Sequence, residues 1–408
     1  MIEVSDGLLT LSVPIQIKRR SCRLRDREQT DGTVESDHYG AAYFINDIDP
    51  EESVNHHAAN LGSTVRPNIP ATWNRHRIAL CASAITIGLG AGPLLAAQSV
   101  TLENFKRAES DHYFSGFVAK GCFGKLCSDR EPVAVDQQTV IRMNRDTPYT
   151  FGVFDLSTPV TIVKPDVGRR FQSILVVNQD HYAPLVAYAP GRYTLTREKL
   201  GTRYVLVVIR TFMDPNDSAD VKAAHAAQNA VRIEQARPGK FEAPDWDAEQ
   251  RAKMSAAIAS LMPYAGDNRA MFGPRAKVDP VRHLIGTAAG WGGNPLEDAT
   301  YVASQVSKND GTTPYVLSVG NVPVDGFWSV TVYNEKGFYE APETAISVNS
   351  VTGRRDPDGT VTIRFGGDPS AANYLRIMPG WNYTVRMYRP RSEVLSGKWA
   401  FPEAVEAR

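Results

Sequence analysis

The sequence predicts a mainly β fold with a helical insert, an α+β chain in which two antiparallel β domains bracket a few helices. Three observations predict it. Short apolar runs punctuated by Pro, Gly, Asp and Asn fill residues 133–212 and return after residue 315, the texture of antiparallel strands joined by turns. Between them lies a stretch rich in Ala and charged residues with apolar positions at helical spacing. No repeat of about 20–50 residues recurs, which excludes a solenoid or a propeller.

Taken in order, Leu102, Phe105, Phe117 and Val118 among charged residues predict an amphipathic helix over 101–119. Strands are predicted at Val133–Arg142, Tyr149–Leu156, Val160–Val163, Phe171–Val177, Leu185–Ala189 and Tyr204–Phe212. Asp214-Pro-Asn-Asp opens a helix expected to run through about residue 236. A second helix is expected over Asp245–Met262, with Trp246, Met254, Ile258 and Leu261 on one side, and Pro238–Pro244 is the linker before it. A third begins at Pro280–Leu284, and the glycines of Gly286-Thr-Ala-Ala-Gly-Trp-Gly-Gly293 end it. Strands return at Tyr315–Val319, Gly326–Tyr333, Thr360–Phe365 and Tyr383–Tyr388, with turns at Asn334–Gly337 and Asp356–Gly359.

The first hundred residues are different. Ile78 to Ala97 runs twenty positions without a formal charge, after Arg75, His76 and Arg77 and before Ala97-Gln98-Ser99. A basic flank, an apolar stretch and small residues at a cleavage site are the parts of an export signal; a retained membrane anchor is the alternative. Residues 1–74 precede it and carry a basic cluster of Lys18, Arg19, Arg20, Arg23, Arg25 and Arg27. We read them as a leader outside the core, from an over-extended start or a fusion. The expected organisation is therefore 1–74 leader, 75–99 signal, 100–213 N-terminal β domain, 214–295 helical connection and 296–408 C-terminal β domain, exported to the periplasm or cell envelope.

Across the chain 45 basic residues cancel 45 acidic ones, which argues against a nucleic-acid partner. A membrane partner follows only if the signal is retained, and a homo-oligomer stays open. Of the four cysteines only Cys122 and Cys127 lie beyond the signal. Their spacing is wrong for a redox Cys-x-x-Cys pair, and two thiols make no zinc site; in an oxidising compartment they are a candidate disulfide, or two free thiols. No metal site is read from the sequence and the cofactor stays unknown; the chain has no Gly-x-Ser-x-Gly elbow, Walker A loop, His-Glu-x-x-His or EF-hand loop.

Two clusters carry the candidate chemistry. In Asp180-His181-Tyr182, a carboxylate beside an imidazole suggests a general base oriented by Asp180, against the plainer alternative of hydrogen-bonded groups at a strand end. Asn144-Arg145-Asp146-Thr147-Pro148-Tyr149 is a dense polar block between apolar runs. It is either a satisfied turn or the floor of a pocket in which Arg145 clamps an anion, with Asn144, Asp146, Tyr149 and Tyr182 as binding residues. Trp291, flanked by glycines, reads as an exposed aromatic for stacking on a ligand; Trp328, Tyr333, Trp381, Tyr383 and Tyr388 read as core.

The order of blocks resembles a known family. Asn144-Arg-Asp-Thr-x-Tyr149, Asp155-Leu156, Pro165-Asp-x-Gly168-Arg-Arg-Phe171 and Asn178-Gln-Asp-His-Tyr182 are similar to domain of unknown function 1254. Gly326-Phe-Trp-Ser329, Val332-Tyr-Asn334, Gly337-Phe338, Pro379-Gly-Trp-Asn-Tyr383, Val385-Arg-Met-Tyr-Arg-Pro390 and Glu393-Val-Leu-x-Gly397-Lys-Trp399 are similar to its usual partner, domain of unknown function 1214. The resemblance covers roughly 101–402. It implies a bacterial, often exported protein with immunoglobulin- or jelly-roll-like β-sandwich domains, and it carries no reaction or catalytic residue. Asp368–Tyr374 departs from the Gly-, Lys- and Pro-containing loop of relatives.

Three functions follow as expectations. The first is an exported protein with a small-ligand pocket in the N-terminal β domain, its partner a small molecule or an envelope component. The second is a periplasmic hydrolase using His181, Asp180 and Arg145. The third is a non-catalytic envelope or carbohydrate-binding protein that grips with Trp291 and strand aromatics.

Overall fold

The computed structural model describes residues 97–138, 142–340 and 342–408. The leader 1–74 and the apolar stretch before Ala97 lie outside the described residues. The first half runs α1 (Phe105–Ala119), β1 (Cys127–Ser128), β2 (Tyr149–Asp155), β3 (Val160–Lys164), β4 (Gln172–Asn178), β5 (Leu185–Ala187), β6 (Gly191–Leu195), α2 (Arg197–Leu200) and β7 (Tyr204–Thr211). Then come α3 (Ser218–Asn229), β8 (Arg232–Gln235), α4 (Ala248–Ala259) and α5 (Pro280–Ala289).

A five-stranded antiparallel sheet, ordered β1-β2-β7-β4-β5, organises this half. Its central strands are apolar on both faces because both faces are covered. Phe154, Ile174, Val176, Val205, Val207 and Ile209 pack against Val160, Ile162 and Leu195 of the smaller β6-β3-β8 sheet. Phe151, Val153, Leu175, Val177, Leu206 and Val208 pack against Tyr113, Phe114 and Phe117 of α1 and against Trp291. The helices α4 and α5 join α1 through Phe105, Ala108, Ile258, Ile285 and Ala288, with Met271 and Phe272. α5 starts where Asp279 accepts the Val281 and Arg282 amides ahead of Pro280, an N-cap followed by proline at the first helical position. Its Gly286 is a close approach: a Cβ there would stand 3.0 Å from Met271 and Phe272.

Two sequence expectations need correcting here. Val133–Arg142 is no strand in its described part; Val135–Gln137 forms a 3-10 turn. That segment is a strap held by side chains, the Val133 carbonyl accepting from Arg145 Nη1 at 2.8 Å and from the Tyr339 hydroxyl at 2.7 Å. The helix after Asp214 does not reach residue 236. It stops at Asn229, and Arg232–Gln235 pairs as β8 with β3, because Ile233 alternates with Arg232 and Glu234 as a half-buried strand does.

The second half runs β9 (Ala299–Ser304), β10 (Tyr315–Val319), β11 (Trp328–Tyr333), β12 (Ser347–Asn349), β13 (Val361–Phe365), β14 (Tyr374–Leu375), β15 (Asn382–Tyr388), α6 (Ser392–Leu395) and β16 (Val405–Glu406). Two four-stranded sheets, β12-β11-β15-β9 and β14-β13-β10-β16, form a sandwich. Its core includes Leu317, Trp328, Val330, Val332, Ile363, Phe365, Trp381, Tyr383, Val385 and Met387.

Alternation along β11 and β15 places the site. Tyr383, Val385 and Met387 face the sandwich core, so Asn382, Thr384, Arg386 and Tyr388 point the other way, beside Ser329, Thr331 and Tyr333. A polar face of that kind normally meets water. Here every residue of β11 and of β15 is buried, because the 142–149 segment and the end of the five-stranded sheet cover it.

Candidate functional site

The polar block at 144–149 enters the seam between the two halves. Asn144 forms an Asx turn by accepting the Asp146 amide at 2.8 Å, and its Nδ2 donates to the Tyr388 hydroxyl at 2.9 Å and to Thr147 Oγ1 at 3.0 Å. From the facing sheet, the Tyr333 hydroxyl donates to the Met143 carbonyl at 2.8 Å, and Arg386 Nη2 donates to the Arg142 carbonyl at 2.8 Å. The segment is therefore sewn to the C-terminal sheet by hydrogen bonds.

Two rows of side chains meet there. On the five-stranded sheet Arg210 sits between Tyr149 and Ser173 as cross-strand neighbours. On the C-terminal sheet Arg386 sits between Ser329 and Tyr301. Asn294, in the loop after α5, links the rows: it accepts from Arg210 Nη1 at 3.3 Å and donates to the Tyr301 hydroxyl at 3.2 Å. Tyr301 feels the charge of both guanidiniums.

Both arginines are buried, Arg210 to 3% exposure and Arg386 to 1%. Neither forms an ion pair within 4 Å among the described residues. Arg386 donates to Thr331 Oγ1 at 3.1 Å and to the Tyr333 hydroxyl at 2.6 Å. Arg210 is less well held. Beyond Asn294 it reaches the Gly292 carbonyl at 3.5 Å, and Tyr149 is a further hydrogen-bond partner, its ring centre 5.2 Å from the guanidinium.

The acid of the seam is Asp146, which faces Ser329, Arg386, Asn349 and Ser347. Burial pushes its carboxyl above the usual carboxylate range, and those four neighbours oppose the shift. Only Ser347, at 3.4 Å, has hydrogen-bond geometry to it; Asp146 Oδ2, Ser329 Oγ and Thr384 Oγ1 are buried without a partner. In Tyr301 and Tyr388 burial raises the phenols, keeping them protonated as neutral donors and acceptors.

His181, Asp180, Tyr182 and Trp291 belong to a different place. Asn178 Oδ1 accepts the amides of Asp180 and Tyr182 at 3.0 Å each, turning the chain after β4 and carrying His181 at φ +64°. His181 is 2% exposed, and both its nitrogens are used. Nε2 accepts the Gly292 amide at 2.8 Å, so Nδ1 holds the proton and donates to Thr287 Oγ1 at 2.9 Å. Burial, with His283 and Lys106 nearby, holds its pKa well below the usual value. This imidazole braces the turn against α5. Asp180 points away, paired with Arg107 at 2.6 Å.

Trp291 is not an exposed stacking platform, as its glycine neighbours suggested. The glycines let the chain turn inward, and the indole is 0% exposed, 4.4 Å from Tyr113 in a stacked pair and donating to Ser110 Oγ at 3.0 Å. Arg145 is buried, donating to the Val133 carbonyl with its guanidinium 5.2 Å from the Tyr339 ring. Asn144, Asp146 and Tyr149 are thus the sequence-selected residues that gather in the seam. Arg210, Ser329, Asn294, Tyr301 and Arg386 join them unannounced. A signal was available: a lone arginine in the apolar run Tyr204–Phe212, and polar residues at every second position of Asn382–Tyr388.

Cys122 and Cys127 form a disulfide, S–S 2.11 Å. The loop they close lies on β2, where Gly124 donates to the Val153 carbonyl at 2.8 Å. Among the described residues no three His, Cys, Asp or Glu side chains gather as metal ligands, and no helix is long and apolar enough to cross a membrane. An open depression of about 450 Å³ between Ala265 and Arg282 and another of about 340 Å³ beside Gly124 and Pro238 contain none of the sequence-selected residues.

Residues 123–235 match the family model described as Protein of unknown function (DUF1254), and residues 298–392 match Protein of unknown function (DUF1214). No curated protein matches the sequence. Among solved structures, the chain is similar to the VPA0106 protein from Vibrio parahaemolyticus at 18% identity, covering 75% of this chain and 98% of that one with a TM-score of 0.60. The two share a fold. It is also similar to a putative uncharacterized protein from Burkholderia cenocepacia at 14% identity, over 75% and 87% of the two chains with a TM-score of 0.43.

Proposed function

We propose that this chain, which belongs to the family joining a DUF1254 domain to a DUF1214 domain, is an exported protein that holds a small ligand in the polar seam between its β domains. The observation that carries the proposal is the burial of Arg210 and Arg386 at the centres of two facing rows without a carboxylate ion pair. Burying a charge costs several kcal/mol unless it is paired, and a fold that needed only stability would use apolar residues there. Binding is favoured over hydrolysis because the seam offers guanidiniums, phenols and a carboxyl but no imidazole among the described residues. His181 is occupied elsewhere.

Two further features support export. Disulfides such as Cys122–Cys127 persist in oxidising compartments, and a signal-like stretch precedes the described residues. Gln98 adds a constraint: its amide donates to the Asp245 carbonyl at 2.6 Å and its carbonyl accepts the Asp247 amide at 2.9 Å. Cleavage after Ser99 discards both bonds, so the new N-terminus is expected at or before Gln98.

The seam is tested by thermal shift of the purified full chain against cationic, neutral and anionic small molecules, repeated on Tyr301→Phe with Tyr388→Phe, which keeps both rings and removes both hydroxyls. Stabilisation by at least one class, weakened in the double variant, is the expected result. A panel without effect, or a response that ignores the lost hydroxyls, overturns the seam. N-terminal sequencing of the periplasmic fraction tests export; a chain that keeps residues 1–74 there, or is absent from that fraction, refutes it.

A further inference from the structure

The two guanidiniums carry +2, and Asp146, when ionised, leaves the seam at +1. Arg210 is the unbalanced member. Its electrostatic neighbours are the phenols Tyr149, Tyr301 and Tyr388, Tyr149 also as a hydrogen-bond partner, and it donates to neutral oxygens at 3.3 and 3.5 Å. A guanidinium has five N–H donors in a planar fork that matches a carboxylate. Of the two arginines, Arg210 has the longer contacts to protein carbonyl oxygens, with Tyr149 as a further hydrogen-bond partner.

Tyr301 and Tyr388, which neighbour Arg210, belong to an apolar and aromatic wall. Phe327 stacks on Tyr388 with centroids 4.3 Å apart, and Phe171 and Phe212 each reach Phe327 at 5.1 Å. Ala299 and Tyr301 complete this cluster. A hydrated inorganic anion gains nothing from such a wall, whereas the carbon body of an organic acid does.

We propose that the ligand of the seam is a small organic acid with a single carboxylate, which Arg210 takes in its fork while Arg386 supplies the second positive charge and the aromatic cluster receives the carbon body. This rests on the seam being a ligand site. Charge-assisted bonds to the acid are stronger than those Arg210 makes to Asn294 and Gly292, so binding stabilises the fold by mass action.

The test compares, on the full chain, benzoate and propionate with their neutral isosteres benzamide and propionamide, and with inorganic phosphate, by thermal shift and calorimetry. Saturable stabilisation by the carboxylates alone is expected, with affinity for the better acid falling about tenfold or more in Arg210→Gln. Arg386→Lys keeps the charge, loses the fork and is expected to fall less. The isostere comparison needs no variant, so a variant that does not fold leaves the test intact. If the amides stabilise as well as the acids, or phosphate does, the carboxylate assignment is wrong while the seam stands as a ligand site. If no compound of any charge stabilises the chain, both fail.

Discussion

Acidification should destabilise this protein through His181, by an amount the geometry sets. Its Nε2 accepts the Gly292 amide, and a protonated ring cannot accept that bond. The folded pKa is depressed while the unfolded one stays near 6.5. A histidine of this kind contributes its full stability above about pH 6.5, and the contribution is lost as pH falls, because the unfolded chain binds the proton and the folded chain does not. From about pH 7.5 to about pH 5, a site that stays neutral when folded loses about 2 kcal/mol. Asp111 and Asp146, whose folded pKa values burial raises, act in the opposite sense and strengthen the fold as pH drops. Comparing the wild type with His181→Gln removes them, since both proteins carry them equally. The assay is urea unfolding followed by tryptophan fluorescence at several pH values. The variant should show a pH slope shallower by about that amount, whatever its absolute stability. Equal slopes would mean His181 accepts a proton in the fold, and the bracing role would be wrong.

Two other perturbations test neighbouring parts of the structure. Replacing both Cys122 and Cys127 with Ser opens a six-residue ring; chain entropy puts the loss near 2 kcal/mol, and a reductant should lower the melting temperature of the wild type but leave the variant unchanged. Trp291→Ala removes an indole buried against Tyr113 and Phe114, at an expected cost of about 3–5 kcal/mol. Trp291→Phe keeps a ring against Tyr113 but leaves Ser110 without its donor, costing about 1–3 kcal/mol; equilibrium unfolding should rank the two in that order.

Strands and helices were legible where one rule dominated. Tyr204–Thr211 and Asn382–Tyr388 have runs of β-branched and aromatic residues between turn signals, and both are strands. Pro280, after the capping Asp279, opens α5. Errors came where a tertiary partner decided. Arg232–Gln235 follows a helix and continues its polar texture, but β3 pairs with it. Val133–Val135 alternates like a strand, but no ladder is offered to it, and the segment is held instead by Arg145 and Tyr339.

The candidate site was half legible for a related reason. Asn144-Arg-Asp-Thr-Pro-Tyr149 stands out because so many polar groups cannot sit inside a core without partners, and the seam supplies some of those partners. Arg210 and Arg386 stand out less, because an arginine near a strand end or on the outward face of a sheet normally reaches water. What gives them meaning is that the covering segment and the facing sheet close over both, a fact written in the packing of two domains and not in either strand. Asp180-His181-Tyr182 shows the converse. It has the composition of a catalytic group, but Asn178 upstream turns the chain so that Asp180 faces Arg107 and His181 faces α5. Adjacent residues point apart along a chain, so a carboxylate next to a histidine in sequence is poor evidence that it orients that histidine. Cross-strand neighbours are better evidence. Tyr149 beside Arg210 and Tyr301 beside Arg386 are far apart in sequence and share a face because the register requires it, and their exchange is where function should first be lost.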